Sequence, residues 1–196
     1  MTLELPFIST TRLLLRLATP KDVPEIIRYF RINRAYLAPW VPLWPLNYLT
    51  QSFWEEQVEK NFKEFQCDQS LRLFIFKNTN ISEVIGQVNF NGFVRGAGQF
   101  CYLGYSLAEI EQGKGYMLEA LRAAINYIFE KLNMHRVMAN YIPQNHRSGN
   151  VLKKLGFVVE GYARDYLLIN GQWQDHILTS LTNKNWQAEG QRGRCE

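Results

Sequence analysis

Three strand-like stretches follow one another between residues 71 and 107: LRLFIFK (71–77), EVIGQVNFNGFV (83–94) and QFCYLGYSL (99–107). Gly96 and Gly98 mark a hairpin turn between the last two. Strands joined this closely pair antiparallel, because a parallel pair needs a long crossover. Helical patterns flank the block. Upstream, TRLLLRLA (11–18) reads as a buried strand, and Thr19-Pro20-Lys21-Asp22 opens a helix: Thr19 as cap, Pro20 in the first turn, Asp22 as the capping-box acid. That helix carries Val23, Ile26, Ile27 and Phe30 on one face. Pro39, Pro42 and Pro45 exclude a regular helix over 38–48, and a second helix covers about 50–66 with Phe53, Val58, Phe62 and Phe65. Downstream, Met117, Leu121, Ala124, Ile125, Ile128 and Leu132 recur at helical spacing. A strand RVMANYI (136–142), a short helix (146–155) ending at Gly156, and two last strands, FVVEGYA (157–163) and DHILTSLT (175–182), complete the pattern. The expected architecture is α/β: a mixed, mostly antiparallel twisted sheet flanked by helices. One domain spans 1–186, and QAEGQRGRCE (187–196) reads as a loose tail.

Composition narrows the functional classes. With 46% hydrophobic and 20% charged residues the chain reads as globular and soluble, and no apolar run reaches a membrane span. The N-terminus MTLELPFISTTR lacks the basic-then-apolar order of a signal peptide. Cys67, Cys101 and Cys195 have no metal-like spacing and cannot all pair, which suits reduced thiols in the cytoplasm. His135, His146 and His176 have no zinc spacing, so no metal is expected. A net charge of +4 is compatible with work near a ribosome and too weak to argue for direct nucleic-acid binding.

The stretch EQGKGYMLEAL (111–121) sets Gly113 and Gly115 directly before a helix. A helix N-terminus offers unpaired N–H groups and a partial positive charge, and glycines let an anion approach. The Walker loop fails, because Gly115 follows Lys114 where Ser or Thr is required. The dinucleotide fingerprint fails at Leu118, where its third glycine should stand. Gln112 and Gly115 match the [QR]-x-x-G-x-[GA] loop of the GNAT acetyltransferases, although Met117 replaces its small last residue. A plain glycine turn capping a core helix would look the same. About 30 residues on, Asn145, Ser148, Leu152, Gly156 and Phe157 match the GNAT pattern N-x-x-[AS]-x-x-x-Y-x-x-x-G-F, with leucine at the tyrosine position. Asn145 as a helix cap and Gly156 as its end account for two of these residues on structural grounds alone.

NRAYLAPW (33–40), QVNFNGFVRGAGQFCYLGYSL (87–107), QGKGYMLEAL (112–121), HRVMANYIPQNHRSG (135–149) and LGFVVEGYARDYLLINGQWQDH (155–176) together resemble the ribosomal-protein N-terminal acetyltransferases of the GNAT superfamily, most of all those of the RimJ type. The resemblance covers residues 11 to about 186 and implies an acyltransferase. Its co-substrate would be acetyl-CoA, and its acceptor the N-terminal alanine of a small-subunit ribosomal protein (S-five), free or on the assembling subunit.

It also implies roles. Backbone N–H groups of residues 113 to 118 would hold the CoA phosphates, with Gln112, Gly113, Lys114, Gly115, Tyr116 and Met117 among the cofactor-binding residues; Asn145 and Ser148 would lie beside the cofactor, and main chain at Tyr105, Ser106 and Leu107 would meet the thioester. Ser148 would orient or protonate the leaving sulfur in place of the tyrosine that Leu152 replaces; a first-turn serine bonded to its own backbone is the alternative. An α-amine, with pKa about 7.7–8.0, is already neutral in roughly a tenth to a quarter of molecules near pH 7, so modest help suffices. Glu160, Asp165, Asp175 or a water are the candidate bases. Tyr36, Trp40 and Trp44 either wall a small acceptor slot or belong to core packing with Tyr48 and Trp54. Two rivals share these features: an acetyltransferase of small amines or antibiotics, and a ribosome-assembly factor with incidental acetylation.

Overall fold

The computed structural model describes residues 5–188, and eight strands form one sheet through them. They are β1 (Phe7–Ser9), β2 (Leu13–Arg16), β3 (Leu71–Lys77), β4 (Asn80–Val94), β5 (Phe100–Leu107), β6 (Arg136–Tyr141), β7 (Val158–Ile169) and β8 (Gln172–Thr182), lying in the order β1-β2-β3-β4-β5-β6-β8-β7. Every neighbouring pair is antiparallel except β5 and β6, which run parallel. Five helices flank the sheet: α1 (Val23–Ile32), α2 (Arg34–Leu37), α3 (Gln51–Gln66), α4 (Tyr116–Glu130) and α5 (His146–Lys154).

Successive side chains of a strand point to opposite faces, and β3 shows what each face packs against. Leu71, Leu73 and Ile75 enter a core shared with Leu121, Ala124 and Ile128 of α4 and Leu152 of α5. Phe74 and Phe76 enter a second core with Ile26 and Phe30 of α1 and Trp54 and Val58 of α3. Burying a large apolar side chain stabilises by about 1.5–3 kcal/mol, and such residues line both faces of the central strands. The sheet is therefore a partition: α4 and α5 on one side, α1 and α3 on the other.

The opening of α1 follows the capping pattern and adds to it. A 3-10 turn spans Pro20–Asp22, and the Asp22 carboxylate accepts from the Thr19 N–H (2.7 Å) and hydroxyl (2.8 Å). Arg16 of β2 adds two hydrogen bonds, each 2.7 Å. Thr50 caps α3 by accepting from the Phe53 N–H.

Three elements depart from the sequence reading. Residues 11–18 hold only the four-residue β2; the separate edge strand β1 is too short for its alternation to register. A four-residue helix, α2, and a 3-10 turn over Ala38–Trp40 follow α1, the turn taking up Pro39 where a longer helix could not. The last two strands extend into one long hairpin that turns at Asn170-Gly171, both at positive φ. That dipeptide is the strong hairpin signal. The expected tail at 187–196 lies almost wholly outside the described residues, as does Cys195, while Cys67 and Cys101 are free thiols. No helix among the described residues is long and apolar enough to cross a membrane.

One departure from regularity matters most. The β5–β6 ladder runs from Phe100↔Arg136 to Leu103↔Ala139 and stops. β5 continues to Leu107 and β6 to Tyr141, each still paired on its outer side, to β4 and β8. The two parallel strands part within the sheet, leaving a gap between them.

Candidate active site

Residues 104–107, the part of β5 beyond the split, have no partner strand on the β6 side, so their outward backbone groups are available to a ligand. They include the three predicted positions. Tyr105 and Leu107 turn their side chains to the α4/α5 core, and Ser106 turns to the α1/α3 side, where its Oγ lies 2.9 Å from the Tyr29 hydroxyl. Burial pushes the Tyr29 phenol well above its ordinary value, so it remains a donor.

A short 3-10 turn (Glu109–Glu111) leads from β5 into the glycine segment. Gly113 and Gly115 take φ of +72° and +79°, a conformation that residues with a Cβ reach only at a cost. A Cβ at Gly113 would meet nothing within 4 Å, so the surface there is open. Gly115 occupies the N-cap of α4, and the Glu119 N–H bonds back to the Gly115 carbonyl at 3.1 Å. The N–H groups ahead of it have no carbonyl one turn back within the helix. Tyr116 and Met117 supply two of them, while the Met117 side chain is buried in the core.

The turn is fastened by residues no motif includes. Arg12 donates to the Lys114 carbonyl (2.9 Å), pairs with Glu119 (2.6 Å) and lies over the Tyr116 ring (4.5 Å). Buried Glu111 binds Lys77 (2.8 Å) and Lys114 (2.9 Å). Burial alone would raise the Glu111 carboxyl, but the two lysines outweigh it and hold it below the usual range. The Lys114 ammonium is thus paired to protein. The Gln112 side chain donates to the Tyr36 hydroxyl and accepts from Arg147, tying α2 to α5 across the turn. Apart from the local Glu111–Lys114 pair, these contacts join residues 34 to 107 positions apart, a separation that short motifs do not report.

On α5, Asn145 is the N-cap and its side chain accepts from the Ser148 N–H at 3.1 Å, as the capping reading required. The Ser148 hydroxyl faces β5, where its Oγ lies 2.7 Å from the Tyr105 hydroxyl. Burial pushes the Tyr105 phenol up to about 12. Sequence reasoning took Tyr105 for its main chain alone; its side chain reaches the other motif, 43 residues away. Leu152, where the family tyrosine would stand, is buried in the core.

Two of the three candidate carboxylates, Glu160 and Asp175, are occupied, while Asp165 is exposed and contributes its backbone N–H to Asp175. Glu160 accepts from Ser180 (2.7 Å) and pairs with Arg136, and these bonds hold it below its ordinary value. Asp175 accepts from the Tyr162 hydroxyl and the Asp165 N–H, bonds that lower it too. His176, noted in the sequence only for its lack of zinc spacing, is buried on β8 with Nδ1 2.9 Å from the Gln174 carbonyl. Trp44 stacks on Tyr48 at 4.6 Å and meets Phe30 edge-on, inside the cluster around Trp54. Trp40 is half-buried in the 3-10 turn, beside Val41, whose carbonyl accepts from Asn170. Of the predicted aromatic wall, Tyr36 touches the glycine segment and Trp44 belongs to the packed cluster.

Comparison with known proteins agrees with this geometry. The acetyltransferase (GNAT) domain family matches residues 12–158. The ribosomal protein uS5-alanine N-acetyltransferase of Escherichia coli is 44% identical over 179 residues, covering 91% of this chain and 92% of that protein. The crystal structure of a ribosomal-protein-alanine acetyltransferase from Vibrio fischeri superposes with a TM-score of 0.89 at 35% identity, covering 93% of this chain and all of the other. A RimL ribosomal alpha-N-protein acetyltransferase solved with coenzyme A gives a TM-score of 0.81 at 25% identity, with 90% and 98% coverage.

Proposed function

The chain belongs to the GNAT acetyltransferase family and is an acyltransferase; from that premise we propose that it uses acetyl-CoA to acetylate the N-terminal alanine of the small-subunit ribosomal protein uS5. The observation that carries the acceptor is the near full-length match to a uS5-alanine acetyltransferase. The observation that supports the chemistry is the parted β5–β6 pair, with the glycine turn and Ser148 on one side of it. Acetyl-CoA supplies an activated acyl group.

The residues present suit that co-substrate. N–H groups of residues 113–118, at the start of α4, would hold its pyrophosphate, with Asn145 and the first turn of α5 alongside; Lys114 would contribute little, since Glu111 already binds it. Backbone of Tyr105, Ser106 and Leu107 would align the thioester arm in the gap and aim a donor at its carbonyl oxygen. Ser148 Oγ would donate to the sulfur as the C–S bond breaks, while Tyr105 fixes the serine's orientation. A hydrogen bond is what this pair can give. A phenol near 12 lies ~3.5 pKa units above an ordinary thiol, so full proton delivery would climb ~5 kcal/mol.

The acceptor amine would enter neutral from the α1/α3 side and attack the carbonyl carbon, and its surplus proton would leave through water. The reaction belongs in the cytoplasm, on free uS5 or on the assembling small subunit. Intact-mass measurement of uS5 incubated with enzyme and acetyl-CoA tests the reading. One acetyl at the N-terminal alanine is expected; an unmodified protein would refute the acceptor.

A further inference from the structure

On the α1/α3 face, two rows of residues cross the central strands beside the gap. Register places Arg72 of β3, Asn89 of β4 and Gly104 of β5 in one row, and Phe74, Gln87 and Ser106 in the next. Three side-chain atoms in these rows, Arg72 Nε, Asn89 Oδ1 and Gln87 Oε1, are buried and have no hydrogen bond. Orphaned buried polar atoms are uncommon, because leaving one without a partner costs its full desolvation. Three side by side at the edge of a reaction cleft suit a ligand that completes them.

The shape agrees. Tyr29 covers the Ser106 end of the second row by its bond to Ser106. The first row ends at Gly104, where a Cβ would meet nothing within 4 Å, just past the last β5–β6 pairing. Gly104 turns to the same face as Ser106, because the flanking Leu103 and Tyr105 turn to the opposite core. The open end of the row therefore adjoins the gap.

The charges agree as well. Arg72 makes no ion pair among the described residues; Glu64, the acid close enough to act on it, spends its oxygens on Ser70 (2.7 Å) and Lys60 (3.6 Å). The segments 72–76, 87–91 and 102–106 contain no Asp or Glu. Neutral carbonyl acceptors beside one cation suit a peptide backbone and disfavour an acceptor with additional ammonium groups.

With the acceptor a protein N-terminus, as proposed above, we infer that Arg72, Asn89 and Gly104, flanked by Gln87, form the acceptor track. The first residue of the substrate lies over Gly104 with its amine at the gap. The Asn89 and Gln87 carbonyls accept from its N–H groups, and Arg72 donates to a backbone carbonyl further along. The same row sets selectivity for a peptide end over a polyamine.

Steady-state kinetics with a peptide beginning in free alanine, paired with calorimetric titration of CoA, test this. Asn89→Leu should raise the peptide KM about tenfold, the cost of one lost hydrogen bond, with CoA affinity unchanged. Gly104→Val should impair the peptide more, again sparing CoA; Gly104→Ala, one methyl in ordinary strand backbone, serves if the valine variant does not fold. Arg72→Gln should raise turnover of spermidine relative to the peptide. Unchanged peptide kinetics in the Asn89 and Gly104 variants would overturn the track, as would parallel loss of CoA affinity, which would assign the row to the other substrate. A wild-type enzyme inert toward the peptide would instead overturn the acceptor reading itself.

Discussion

The hydroxyls of Tyr105 and Ser148 lie 2.7 Å apart, linking the two motifs that the chain separates by 43 residues. Ser148 belongs to α5 and Tyr105 to the part of β5 beyond the split, so the pair bridges the cleft wall to the helix that closes it. Ser148→Ala should cut kcat about tenfold to a hundredfold while KM for acetyl-CoA changes little, the low end of what a positioned donor contributes. Tyr105→Phe should cost less, about three- to tenfold, because the serine remains but loses its partner. The double variant should be no worse than Ser148→Ala alone, as expected of residues that act as a unit. Additive losses in a steady-state double-mutant cycle would mean that Tyr105 acts elsewhere.

The glycine turn should be sensitive to backbone and tolerant of charge. Gly115→Val forces a branched residue into φ of +79°, and is expected to weaken CoA binding by more than tenfold in a calorimetric titration. Lys114→Ala removes an ammonium that is half exposed and already held by Glu111, so its effect should stay within about 1 kcal/mol. A lysine variant worse than the glycine variant would shift the phosphate site from main chain to side chain.

How legible this site was depends on sequence distance. Gly113, Gly115, Asn145 and Ser148 were legible because a helix start needs its donors, cap and glycines within a few residues. Arg12, Glu111, Glu119 and Arg147, which hold the same turn, were not, since these contacts span 34 to 107 residues of sequence. β3, β5 and α3 were legible within a residue from apolar periodicity, while β4 begins three residues before the stretch that was read. β1 was too short, and the outer part of the last hairpin too polar and exposed, for the same signal to register, although Asn170-Gly171 marked the turn. The Arg72–Asn89–Gly104 row could not be read at all. A strand shows which residues share a face, but only the register shows which strands' residues meet.

Acid should loosen the α1 junction through Asp22. Burial pushes this carboxyl up, but bonds from Arg16 and Thr19 outweigh it, and the net result lies below its ordinary 3.8. A carboxyl lowered on folding adds stability that is full above its unfolded value and lost as pH falls through the folded one. Asp22→Asn should therefore cost about 1–3 kcal/mol at neutral pH and progressively less as the pH falls below the ordinary 3.8. Urea midpoints taken from about pH 7 down to about pH 2.5 should show the two proteins converging. A constant difference across that range would mean that Asp22 contributes by packing alone.

The pH dependence of turnover should follow the acceptor. Two of the candidate carboxylates are poorly suited to act as a strong base: Glu160 and Asp175 are both held in their ionised forms by hydrogen bonds. The rate should then rise with the neutral fraction of an α-amine, between about pH 6.5 and 8.5, and level off. Tyr105 stays protonated until about 12, so no fall on the alkaline side should come from the Ser148 pair below that range. A lysine side chain, with pKa near 10.4, would be neutral in under about 0.1% of molecules at pH 7 and would need a strong base to deprotonate it. A peptide with a free N-terminal alanine should therefore be acetylated, whereas the same peptide blocked at its N-terminus and carrying an internal lysine should not. Efficient acetylation of the blocked peptide, or a rate still climbing at pH 10, would refute the α-amine as acceptor while leaving the acetyl-transfer chemistry of the cleft in place.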